Sequence, residues 1–241
     1  VPIFSGASLD RGTVSGSVQL AGTASAPQAE GSIVWQDGRI AFPGRWRPME
    51  DIAGKMGFRG DEAVFEETRG RMGKGTFDLS GKIVFANLHD PQLKAEFRGK
   101  HLEIYADENL VLTGMPDLSV RGTKAAGEVK GTVALDGSAV LRAPAVTPHL
   151  VAPAPRVAPV PPTPSSAGPG AAWTLDIKMT SAAPVPVGPE GADGQLAPDL
   201  HLQGTTAEPL LVGRLGVDRL QVSWPSGAGL TAAGHVDFTR E

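Results

Sequence analysis

Leu118-Ser119-Val120-Arg121-Gly122-Thr123, with Gly127 and Gly131 following, is the stretch that decides the fold. Apolar and polar residues alternate up to the Gly-Thr break and resume beyond it. The phrase occurs twice more, as Val18, Leu20, Gly22-Thr23, Pro27 and Gly31, and as Leu200, Leu202, Gly204-Thr205, Pro209 and Gly213. A period of two marks a strand with one face buried. A strand, break and strand unit that recurs along a chain predicts an elongated array built by stacking like elements. The expected fold is therefore all-β, a long antiparallel sheet without a catalytic pocket.

Working outward, the same parity continues. Val14, Val18 and Leu20 share one face, against Thr13, Ser15, Ser17 and Gln19. Ile33 and Trp35 precede Asp37-Gly38, and Ile40 and Phe42 follow it; a two-residue hairpin loop there would set Trp35 opposite Ile40 and Ile33 opposite Phe42. Further apolar rows are Ile52, Met56 and Phe58; Phe77, Leu79, Ile83 and Phe85; Leu93 and Phe97; Leu118 and Val120; and Val129, Val133 and Leu135, before a second Asp136-Gly137 turn. After residue 171 the pattern restarts with Trp173, Leu175, Ile177 and Met179. It runs on through Leu200, Leu202, Leu215, Val217, Leu220 and Val222 to Val236 and Phe238. Between Phe65 and Met72 the parity slips by one residue, which predicts a β-bulge. Gly16, Gly54, Gly81, Gly99, Gly122, Gly131 and Gly204 fall in the apolar rows. Glycine there marks a bend or a close backbone approach, and together these positions predict a sheet curled into a trough.

Two stretches break the pattern. Residues 142–171 hold nine prolines from Pro144 to Pro169 and predict a linker or insert of extended or irregular chain, because proline cannot donate to a ladder. A second irregular region is expected over Ala182–Pro198. The organisation read from this is a groove segment over 1–141, the insert over 142–171, and a continuation of the groove over 172–241.

Composition limits function. Thirty-one glycines and 21 prolines in 241 residues disfavour long helices. A net charge of −4 offers no basic footprint, so nucleic acid is not an expected partner. There is no cysteine, hence no disulfide frame and no thiolate metal site. No apolar run reaches the roughly 18 residues of a membrane span, and no signal-peptide pattern precedes the strands. The chain is read as a segment of something longer, with any anchor outside it.

Catalytic constellations are not found. His89, His101, His149, His201 and His235 are scattered, without a His-Glu-x-x-His pair. Gly70-Arg71-Met72-Gly73-Lys74-Gly75 lacks the first glycine and the following helix of a phosphate loop, and is not read as one. No metal, cofactor or enzyme activity is expected. A β-solenoid adhesin or polysaccharide-active enzyme lacks its shorter coil repeat here, and a single tyrosine, Tyr105, argues against the aromatic girdles of an outer-membrane barrel.

Gly22-Thr23 through Asp37-Gly38-Arg39-Ile40, then Met49-Glu50-Asp51-Ile52, Gly73-Lys74-Gly75-Thr76-Phe77 and Leu118 to Thr123, resemble in order and spacing the C-terminal region of the TamB family. That family belongs to the AsmA-like bridge-like lipid-transfer proteins. The resemblance covers most of 12–141 and resumes from Trp173 to Phe238. It implies a β-taco, a curled sheet around an apolar groove, in a periplasmic protein anchored to the inner membrane. The implied partners are phospholipid acyl chains and a TamA-like outer-membrane barrel, with roles in lipid transport and outer-membrane protein assembly. It supplies no catalytic residues. The groove-lining role falls on the inward residues named above, and a strand-templating scaffold without lipid conduction is the alternative.

Overall fold

A computed structural model describes residues 8–23, 26–42, 46–86, 90–106, 110–123, 125–136, 140–141, 173–181, 183–187, 192–223 and 229–239. Every regular element among them is a strand. They are β1 (Ser8–Thr23), β2 (Ala26–Ala41), β3 (Met49–Gly60), β4 (Glu62–Met72), β5 (Gly75–Val84), β6 (Gln92–Lys100), β7 (Leu102–Ala106), β8 (Leu110–Gly122), β9 (Gly127–Leu135), β10 (Val140–Leu141), β11 (Trp173–Ser181), β12 (Val185–Val187), β13 (Ala192–Thr205), β14 (Pro209–Ser223) and β15 (Gly229–Phe238). All 15 form one sheet in the order β1-β2-β3-β4-β5-β6-β8-β9-β11-β13-β14-β15, with β7 and β10 paired to β8 and β12 to β13. The sheet does not close: β1 and β15 are its two edges.

The repeated Gly-Thr phrase forms the hairpins β1–β2, β8–β9 and β13–β14. Thr123 N–H donates to Ala126 O at 2.7 Å, and Thr205 N–H to Glu208 O at 3.1 Å. The threonine hydroxyls accept from within their own turns, Ala125 N at 3.1 Å and Glu208 N at 3.0 Å, which is why threonine suits the position. Every join on the main path is antiparallel except one: β11 runs parallel to β9, with Trp173 opposite Gly127 and Ser181 opposite Leu135. A parallel neighbour requires a crossover of a dozen residues or more, and the chain between Leu135 and Trp173 is the only stretch long enough to supply one. The insert 142–171 lies outside the described residues, as do Gly137 and the turn expected there.

Asp37-Gly38 is not a hairpin loop. Strand β2 runs straight through it; Trp35 pairs with Val14 and Gly54, and Ile40 with Leu9 and Met49. Asp37 has φ 54°, and the register shifts around it make a β-bulge. A positive φ at Asp before Gly satisfies a bulge as well as a tight turn, and the long partners β1 and β3 select the bulge. Asp51 and Glu67, both at φ 50°, sit at register shifts of β3 and β4, the second being the slip expected between Phe65 and Met72. These bulges lie at adjoining levels of neighbouring strands. Gly73-Lys74 closes the β4–β5 hairpin.

The region Ala182–Pro198 is more regular than its prolines led us to expect. Val185–Val187 is a strand, and β13 begins at Ala192. Pro198 is tolerated because it falls between Asp199, the last residue paired with β11, and Leu196, the first paired with β12.

Candidate functional site

One face of the sheet is apolar from edge to edge. Cross-strand pairing aligns its side chains into rows. One row runs Gly16, Ile33, Met56, Phe65, Gly81, Ala95, Val120, Val129, Leu175 and Gly204. A second runs Val18, Gly31, Phe58, Ala63, Ile83, Leu93, Gly122, Gly127 and Trp173. A third joins Thr68, Leu79, Phe97, Leu118, Gly131, Ile177, Leu202 and Leu211. A fourth joins Val133, Met179, Leu200, Gly213 and Phe238. Leu215 pairs with Val236, and Val217 with Gly234, in the same phase.

Covering is uneven along these rows. Toward the rim that carries the β4–β5 turn, the face is packed. Ile52, Met72, Phe77 and Leu102 form one cluster with Trp35, Ile40, Phe42, Met49, Phe97 and Ile104. Val133, Leu135 and Val185 form another with Ile104, Leu112, Leu118, Ile177, Met179 and Leu196. Ile104 belongs to both. Strand β7 brings it there: His101, at φ 50°, turns the chain out of β6, and Leu102 then lies 1% exposed against Phe77. Several expected lining residues therefore touch one another here: Trp35, Ile40, Phe42, Ile52, Phe77, Phe97, Leu118, Val133, Leu135, Ile177 and Met179.

Beyond the clusters, Val18, Ile33, Met56, Phe58, Leu79, Ile83, Phe85, Leu93, Val120, Leu175, Leu200, Leu202, Leu215, Val217 and Phe238 are half-buried. Val129 and Trp173 are buried, the indole lying on Gly127, where a Cβ would collide with the ring. The two edges are open. Val14 is 68% and Leu20 80% exposed on β1, and Val236 52% on β15. The side chains of Leu220 and Val222 lie outside the described residues. The pattern reading missed Leu102, Ile104 and Val185: each sits in a strand of three to five residues, too short for alternation to register.

The opposite face is polar and laced with ion pairs: Lys55–Glu66 at 3.2 Å, Lys82–Glu62 at 2.6 Å, and Arg214–Asp237 at 2.7 Å. Exposed pairs of this kind each contribute under about 1 kcal/mol, so they hold register more than stability. Arg214 donates to Asp237 and so holds that carboxyl below its usual range; Glu128 does the converse for Lys130, raising it. No group of three or more metal-binding side chains occurs among the described residues. Nor does any helix there have the length and apolarity to cross a membrane.

This geometry, an unclosed sheet with one apolar face and repeated Gly-Thr hairpins, has a counterpart among known families. The model of the TamB C-terminal domain matches residues 66–223, more than half of the chain. The chain belongs to the TamB family. No curated protein and no solved structure matches it. TamB membership associates the chain with the translocation and assembly module. The match runs from within β4 to the end of β14 together with the insert, and the register of the rows carries on past it into β1, β2 and β3 on one side and β15 on the other.

Proposed function

We propose that this TamB segment shields lipid acyl chains on its apolar face, as part of a periplasmic, inner-membrane-anchored bridge that works with a TamA-like outer-membrane barrel. The two strand-rich stretches, 1–141 and 172–241, act on this reading as one groove on either side of the insert. The observation that carries it is the unbroken register of apolar rows across both stretches, half-covered along their length and open at the two edges. Each methylene removed from water is worth about 0.8 kcal/mol, so a chain of roughly 15 methylenes leaving a bilayer unshielded would cost on the order of 12 kcal/mol. An apolar strip removes most of that cost. Burial is proportional to area and has no preferred direction, so a tail can move along the strip without a fixed stop. The lining role belongs to the half-buried residues, with Ile33, Met56, Phe58, Ile83, Leu93, Val120 and Leu175 central, whereas the packed clusters close the rim near β7.

A second reading has its own support. From Gly12 to Thr23 the edge strand β1 carries no charge, although edge strands are ordinarily defended by charges against added strands. This edge suits templating of incoming barrel strands by β-augmentation. Native mass spectrometry of the purified 241-residue chain separates the two. Co-purifying phospholipid, lost on Ile83→Asp or Leu175→Asp, is expected for shielding; lipid-free protein that captures an alternating apolar peptide would favour the scaffold.

A further inference from the structure

On the polar face, Lys82, Lys94 and Arg121 stand directly opposite one another on β5, β6 and β8. Like charges in facing positions repel, so the arrangement opposes folding unless something neutralises it. The neighbouring acids neutralise only one of the three, Lys82. Glu62 holds Lys82 at 2.6 Å, Glu96 accepts from Arg98 at 2.8 Å, and Glu128, in register with Arg121, turns to Lys130 at 2.7 Å. Among the described residues neither Lys94 nor Arg121 has a carboxylate partner. The three cations, with Ser80, Ser119 and the Arg98-paired Glu96, border an open concavity of about 300 Å³.

We propose that this triad binds a phosphate-bearing anion. Facing side chains on adjacent strands start about 5 Å apart, so the unpaired Lys94 and Arg121 heads can converge on a single phosphate, with the Glu62-held Lys82 beside them. The Arg121 guanidinium matches two phosphate oxygens and the lysines add point charge. The Ser80 hydroxyl adds a donor, while the Ser119 hydroxyl donates to Lys130 O at 3.4 Å. The concavity is open, so the phosphate can be free or remain part of a lipid headgroup. This site lies on the face opposite the proposed groove and does not depend on it.

The test compares the 241-residue chain with its Lys94→Gln/Arg121→Gln variant, by thermal unfolding in inorganic phosphate against chloride at equal ionic strength and by co-sedimentation with phosphatidylglycerol or phosphatidylcholine vesicles. In chloride the variant should be at least as stable as the parent, because the repulsion is relieved. Phosphate should raise the parent's midpoint by ~2 °C or more and leave the variant's unchanged. That rise without vesicle binding identifies a soluble phosphate as the source. Phosphatidylglycerol binding that disappears in the variant identifies a headgroup. Equal responses of parent and variant, or neither phosphate stabilisation nor vesicle binding in the parent, would overturn the proposal. Lipid co-purification through the apolar face should be the same in both proteins, so failure here leaves the groove reading to its own test.

Discussion

Gly131 sits in the third apolar row with φ 148°, and a Cβ there would collide with the carbonyl oxygen of Asp117 on the neighbouring strand. Gly81, at φ 155°, meets the Lys94 carbonyl in the same way. Both were legible as inward glycines, because parity alone places them; the close approach of the next backbone depends on strand order and was not. Gly131→Ala should destabilise the chain by about 2–4 kcal/mol in urea unfolding, combining strained backbone with steric overlap. A loss under about 1 kcal/mol would mean that the strands need not approach so closely. Thr68 makes the opposite case. Its hydroxyl is buried in an apolar row with no hydrogen-bond partner among the described residues. Thr68→Val keeps the shape and removes the unpaired group, so it should be neutral or stabilising by up to roughly 1 kcal/mol; a clear loss would show that the hydroxyl has a partner.

At the scale of elements, the long strands were readable because alternation over nine or more residues leaves little ambiguity. The short ones were not. β7 was overlooked, though Leu102 and Ile104 join the two packed clusters. Leu102→Ala should therefore cost about 2–5 kcal/mol by the same denaturant measurement, near the upper range for a buried leucine. A loss below about 1 kcal/mol would mean that β7 does not seal this rim. Asp37-Gly38 shows the other limit of local reading, since one dipeptide serves hairpin and bulge alike and only the partner strands choose. At the β14–β15 join, the hydrogen bond from Arg214 lowers the Asp237 pKa. The stability this contributes is present above the carboxyl's unfolded pKa and is lost as pH falls through its folded value. In Arg214→Gln, NMR titration of the Asp237 carboxyl should show its midpoint rising toward the ordinary carboxylate value. An unchanged midpoint would show that the pair is not formed in solution.

For the whole molecule, all-β character, a single apolar face and curling glycines followed from periodicity. Strand order did not, because the neighbour of β9 lies on the far side of a long insert and no local pattern names it. The parallel β9–β11 join makes one sheet of the two strand-rich stretches, and that continuity is what an acyl-chain path requires. The rim clusters add something that parity could not disclose. An apolar face can be lined or plugged, depending on whether side chains of a short strand such as β7 or β12 pack into it. The same set of inward residues thus divides into a packed rim and a half-covered band of apolar rows.

The measurement that bears most directly on the central claim is site-specific photocrosslinking to phospholipid in cells. A photoreactive residue is placed singly at Ile33, Ile83 and Leu175 in the apolar rows, at Leu102 in the packed rim, and at Lys55 and Lys178 on the polar face. Lipid adducts at the three row positions, with none at Leu102, Lys55 or Lys178, are the predicted result. Adducts absent from the rows, or equally frequent on both faces, would contradict the account.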